Sequence, residues 1–205
     1  MATAVLKHSG SLELSAEDQA VVQEFTEAGV EACLVALDLE TTVATPPCTN
    51  DYVHDMWKRH PKRIIQCWGT LDPFKGELAI REAQHAVRDL GFIGFHFHPI
   101  MQHFAVNDQR FYPLFETINE LKAAVMIDVG TTGMGAGMPG GMGARIRHAH
   151  PSAIDDLAAD FPNMNIIMAH PGWPWVDEAT AVALHKGNVF WEMSGWAPKY
   201  FPGNL

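Results

Sequence analysis

The chain has 205 residues, 47% of them hydrophobic and 19% charged, a composition that excludes a largely disordered chain and fits one domain at the lower end of α/β-barrel size. Lys and Arg total 14 against 24 Asp and Glu, a formal net charge of -10. That balance argues against nucleic acid or an anionic membrane as the main partner and leaves a small-molecule substrate as the expected one. Cys33, Cys48 and Cys67 form no CxxC pair, so neither a disulfide framework nor a zinc ribbon is implied. The opening MATAVLKHSG lacks the apolar core of a signal peptide and no apolar run is long enough for a bilayer, so the expected setting is cytoplasmic.

Helical and strand periods alternate from end to end. AEDQAVVQEFTEAG reads as a helix with Ser15 as N-cap and Gly29 as its stop, and VEACLVAL as a buried strand. After TPPCTN, Asn50 is placed to cap a helix over DYVHDMWKRH. RIIQCWG is a strand, ELAIREAQHAVRDLG a helix, FIGFHF a strand, FYPLFETINEL a helix and AVMIDVG a strand. Beyond a glycine-rich loop follow helix SAIDDLAADF, strand NIIMAH, helix EATAVALHKG and strand VFWEMSG. Six strands separated by helices predict right-handed βαβ units and a parallel sheet, as a barrel or as an open doubly wound sheet, in a single domain over residues 1–205.

In either architecture ligands collect at the carboxyl ends of the strands. Those ends read His96-Phe97-His98-Pro99, Asp128-Val129-Gly130, His170-Pro171-Gly172 and Glu192-Met193-Ser194. Imidazole and carboxylate are the donors used by zinc, manganese and iron. His96 and His98, two apart on a strand, face one side and can grip one ion together with Asp128 and His170; the alternative is that they only hydrogen-bond at a strand end.

Gly135, Gly137 and Gly140 fall in GxGxxG spacing after a strand, with Asp155 further on. Met138-Pro139-Gly140-Gly141 cannot open a helix directly after those glycines, so the dinucleotide reading fails on context. A lid over a strand-end pocket is the better reading, with Arg145 and Arg147 available to an anionic substrate. Among the tryptophans crowding the last strand ends, Trp173 is the candidate for a flat wall against an aromatic or unsaturated substrate.

The run FPNMNIIMAHPGWPWVDEATAVALHKGNVFWEMSGWAPKYFP resembles the amidohydrolase-related metal-dependent TIM barrels, in the branch of aminocarboxymuconate-semialdehyde decarboxylase and the resorcylate decarboxylases. RHPKRIIQCWGTLDP, GFIGFHFHP, FAVNDQRFYPLFE and the glycine loop match the same branch in order, so the resemblance covers the chain from about Glu17 onward. It implies a (β/α)8 barrel holding one divalent metal, zinc or manganese, through a first-strand histidine pair, a fifth-strand histidine and an eighth-strand aspartate. It also implies a sixth-strand histidine as acid or base. The six strands correspond to the second to seventh of such a barrel, so the first and eighth are the ones expected to be lacking. The HFH pair then lies on the fourth, His170 takes the acid/base position, and Asp128 stands where the metal-binding histidine is expected.

The resemblance implies hydrolysis, or non-oxidative decarboxylation, of a small carboxylate or aromatic compound. The alternative expectation is a metal-depleted, non-catalytic relative acting as a binding or interaction module. Six strands of an eight-stranded barrel leave two open edges, so the expectation is either association through them, as a homo-oligomer, or poor stability of the isolated chain.

Overall fold

A computed structural model describes residues 17–201 and 203–205. The expected N-cap Ser15 lies outside the described residues. Helix α1 spans Asp18–Glu27, and Gly29 follows it at φ 68°, the left-handed turn that a glycine accepts without strain. The remaining helices are α2 Glu40–Val43, α3 Asn50–Arg59, α4 Glu77–Arg88, α5 Tyr112–Glu120, α6 Pro151–Asp160 and α7 Val176–His185. The strands are β1 Ala32–Val35, β2 Ile64–Thr70, β3 Gly94–Phe97, β4 Ala124–Asp128, β5 Ile166–Ala169 and β6 Val189–Trp191.

All five strand pairs are parallel, and the sheet order is β1-β2-β3-β4-β5-β6. A doubly wound sheet reverses its strand order at a switch point, whereas a (β/α)8 barrel adds each strand beside the one before it. The unbroken sequential order therefore selects the barrel from the two architectures, in an incomplete form of six strands. Among the described residues no helix is long and apolar enough to cross a membrane.

The sheet sorts its side chains by alternation. Phe95 and Phe97 on β3, Val125 and Ile127 on β4, and Ile166 and Met168 on β5 are all buried and belong to one apolar core. Phe97 meets the rings of Phe104 and Phe115 at centroid separations of 5.9 and 5.5 Å, close enough for aromatic edge contacts to add to simple burial. The intervening positions, His96 and Asp128 among them, take the opposite face. The register pairs His96 with Met126 and Asp128 with Ala169, which puts the chemistry-bearing side chains at one end of adjacent strands.

Two local readings differ from the sequence expectation. Thr49, not Asn50, caps α3, its side chain accepting from the Tyr52 amide. Asn50 is instead buried and locks α3 to β2: Nδ2 donates to the Thr70 carbonyl at 3.0 Å, and Oδ1 accepts from the Thr70 amide at 2.8 Å. The strand expected over VFWEMSG stops at Trp191, because Glu192 to Ser194 turn to bond with one another and with His170.

Candidate active site

Asp128 ends β4 and is nearly buried, and three imidazoles converge on its carboxylate. His96 Nε2 lies 2.9 Å from Oδ1, His98 Nε2 3.2 Å from Oδ2 and His170 Nε2 3.4 Å from Oδ1. Strand alternation explains His96 and His98, which share a face. It does not explain His170. Ile166 and Met168 face the core, and the same rhythm would send residue 170 there too. His170 has φ 74°, however, and this left-handed backbone turns its ring back toward Asp128.

The electrostatics follow from this packing. Burial alone would push the Asp128 carboxyl upward, but hydrogen bonds from His170 and His96 and the proximity of His98 outweigh it and hold the group well below the usual carboxylate range. The bond to Asp128 raises His170, against the opposing effect of burial. His98 is lowered, because burial disfavours its charged form more than Asp128 favours it. The packing thus favours the ionised form of Asp128, the protonated form of His170 and the neutral form of His98.

Hydrogen-bond partners assign the tautomers. The Met101 amide donates to His98 Nδ1 at 3.3 Å, so the His98 proton sits on Nε2, the nitrogen 3.2 Å from Asp128. The Ser194 carbonyl can only accept, so at 3.0 Å His170 Nδ1 carries a proton and donates a hydrogen bond to it. The other ring nitrogen, Nε2, faces Asp128.

A cleft of about 670 Å³ opens over this cluster and is lined by His98, Asp128, His170, Thr132, Trp196 and Tyr200, among others. Thr131, Thr132 and Gly133, the start of the glycine-rich segment, also line it. The rest of that segment does not open a helix. Pro139–Gly143 is a 3-10 turn with left-handed residues at Gly140, Gly141 and Met142, which leaves no helix N-terminus for a dinucleotide phosphate.

The structure thus brings together Asp128, His170, His96 and His98. It does not bring in the other three candidates. Arg145 and Arg147 are exposed and lie outside the lining of the cleft. Trp173 is 47% exposed and is likewise not a lining residue; its ring stands 6.3 Å from that of Trp196, which does line the cleft. The residues that sequence reasoning missed are Glu192 and Ser194, which hold His170 in place. Their only sequence signal was the position Glu-Met-Ser at a strand end.

Whether these residues fit a metal can be tested on their hydrogen bonds. A metal-bound imidazole needs a free lone pair on the ligating nitrogen. His98 fails this at Nε2, which carries its proton, and its Nδ1 lone pair is taken by the Met101 amide. His96 turns Nε2 to Asp128 and leaves Nδ1 buried without a partner. Among the described residues no group of three or more His, Cys, Asp or Glu is arranged to hold a metal ion. The donors close on the carboxylate and not around a shared centre, so on their own these four residues do not fit the ion.

Comparison with known proteins follows the same lines. A TIM-barrel protein of Bordetella bronchiseptica superposes with a TM-score of 0.66 at 21% identity, over 91% of this chain and 60% of its own length. A dihydroxybenzoic acid decarboxylase of a Polaromonas species, with bound manganese and the inhibitor 2-nitroresorcinol, gives 0.54 at 17% identity over 82% and 62%. A probable 2-pyrone-4,6-dicarboxylic acid hydrolase of Acinetobacter baumannii, with citric acid bound, gives 0.54 at 12% identity over 90% and 64%. The chain therefore spans less than two thirds of the length of these relatives, and the likeness shows the shared fold. A search of curated proteins finds no match. The model of the amidohydrolase family matches residues 4–205, nearly the whole sequence, and with the barrel order of the strands it identifies the chain as a member of the amidohydrolase family.

Proposed function

We propose that the protein is an amidohydrolase-superfamily enzyme that moves a proton with His170 in the hydrolysis or non-oxidative decarboxylation of a small carboxylate or aromatic compound. The observation that carries this reading is His170 itself. Its Nε2 stands 3.4 Å from Asp128 at a strand-end cleft, and Ser194 fixes the proton on its other nitrogen. Asp128 stabilises the imidazolium and orients the ring. Nε2 then gives its proton to a substrate atom in the cleft, or takes one from water there. In decarboxylation the proton reaches the ring carbon as its bond to the carboxylate breaks and carbon dioxide leaves. In hydrolysis water adds across an ester or lactone bond and His170 returns the proton to the leaving oxygen. The family's divalent ion, bound as manganese in the Polaromonas decarboxylase, enters no step here, because the four residues close on one another.

The test uses aromatic carboxylates such as dihydroxybenzoate and lactones such as 2-pyrone-4,6-dicarboxylate, with carbon dioxide release and acid release followed separately. Turnover of one class, lost in His170→Ala, supports the proposal; turnover equal in His170→Ala overturns it. The closed cluster favours a second reading, a metal-depleted relative that binds small carboxylates without converting them. Saturable binding by calorimetry with no turnover of any compound would select it.

A further inference from the structure

Every polar atom that His170 offers, apart from Nε2, is held by the turn that ends β6. The Trp191 indole donates to the His170 carbonyl at 2.8 Å. Glu192 Oε1 accepts from the His170 amide at 3.1 Å and from the Ser194 hydroxyl at 2.7 Å, while Oε2 accepts from the Ser194 amide at 2.7 Å. The Ser194 carbonyl accepts from His170 Nδ1 at 3.0 Å. One carboxylate therefore binds the amide of the strained φ 74° residue and the amide and hydroxyl of Ser194, the residue whose carbonyl meets Nδ1. Gly195 closes the cradle: a Cβ there would lie 2.6 Å from Nδ1, so the backbone can approach the ring only without a side chain.

From this geometry we infer that Glu192 is a positioning residue for His170, holding the Ser194 carbonyl against Nδ1 so that the reactive lone pair is always on Nε2. The inference deepens the acid/base reading above and rests on it for its functional meaning. Ser194 Oγ lies 3.2 Å from Nδ1 and could be mistaken for a nucleophile beside its base. Two bonds exclude that role. Nδ1 carries the proton given to the Ser194 carbonyl, and the hydroxyl proton is given to Glu192. Glu192 does not line the cleft, and its side-chain hydrogen bonds go to His170 and Ser194, so it acts through the imidazole.

Glu192→Gln keeps the shape and replaces one accepting oxygen by a donor. If Oε1 keeps its two partners, the new amide meets the Ser194 amide donor to donor, and Ser194 must shift as a whole, carrying its carbonyl off Nδ1. Long-range proton–nitrogen NMR of nitrogen-labelled full chain, at a pH where His170 is neutral, reads the tautomer directly and needs no substrate. We expect the wild type to hold the Nδ1–H form and Glu192→Gln to shift at least half of the ring to Nε2–H. Gly195→Ala, which leaves Glu192 intact and pushes on the ring, should shift it in the same sense. Ser194→Ala keeps the carbonyl and should keep the wild-type tautomer. An unchanged tautomer in both Glu192→Gln and Gly195→Ala overturns the inference, as does covalent labelling of Ser194 by a fluorophosphonate. If the tautomer responds as stated and no compound is turned over, the positioning role stands and the acid/base reading falls. On a compound that is turned over, Glu192→Gln should lower kcat about tenfold or more with KM little changed, the pattern of a group that acts through the proton-transfer residue.

Discussion

The carboxylate of Asp128 lies 3.4 Å from Nε2 of His170, across two strands whose register pairs Asp128 with Ala169. A carboxylate at that place stabilises the protonated ring and disfavours its loss of a proton. Asp128→Asn should keep the hydrogen-bonding shape but remove the charge, lowering turnover by about 100-fold, the scale of a lost general acid or base. Steady-state rates of the two proteins check it. A loss below threefold would show that the charge does not support proton transfer.

The same pair makes stability depend on pH. The folded His170 pKa is raised above the unfolded value of 6.5. Its contribution is therefore complete below pH 6.5 and is lost as pH rises through the folded pKa. The folded Asp128 pKa is depressed below 3.8, so its contribution is present above that pH and is lost as pH falls toward the folded value. The interaction is one and is counted once. Urea unfolding of wild type and Asp128→Asn should differ most between pH 4 and 6.5 and converge as pH rises further. A constant difference from pH 5 to pH 9 would contradict this.

Metal content follows from the closed hydrogen bonds around Asp128. The purified chain should carry less than one transition-metal ion per molecule after dialysis, as read by elemental analysis. One tightly held ion per chain would mean that the HFH pair turns from Asp128 to coordinate it.

Cys67 is fully buried and its thiol is pushed up to about 11, chiefly by burial. Cys33 and Cys48 are exposed. A native chain treated with a chromogenic disulfide should react at the two exposed thiols and release the third equivalent only when denatured. Prompt reaction of all three would place β2 outside the folded core.

Asn50 satisfies both backbone groups of Thr70 from inside the protein. Asn50→Ala strands a buried donor and acceptor, which should cost about 1–3 kcal/mol for each group left without a partner. Chemical denaturation measures the loss, and Asn50→Asp should recover only the acceptor half of it.

The sequence makes the six strands, their parallel order and the convergence at one end legible, because alternation and helix stops are local properties of the chain. The same-face reading of His96 and His98 is such a case. Asp128 and His170 are legible as strand-end residues, but their contact depends on a left-handed backbone at a histidine, which no residue preference announces. Charge and nearness in sequence point to Arg145 and Arg147, but both are exposed and outside the lining of the cleft. Trp173 yields to Trp196 as a lining residue: which of several neighbouring rings faces a cleft is decided by turn geometry. The tie from Glu192 to His170 joins residues 22 apart, and its Glu-x-Ser pattern is too common to stand out.

The sequential order of the strands bears on how the chain comes to be folded. Each strand from β2 onward finds its partner already made, immediately before it in the sequence. A chain emerging from the ribosome can add one strand and one helix at a time to a growing sheet, without waiting for a distant segment to close a ladder. His170, just past the end of β5, takes its final place only once β6 and the Glu192 turn have followed it. The contacts around His170 are therefore completed only after the sixth strand has been added.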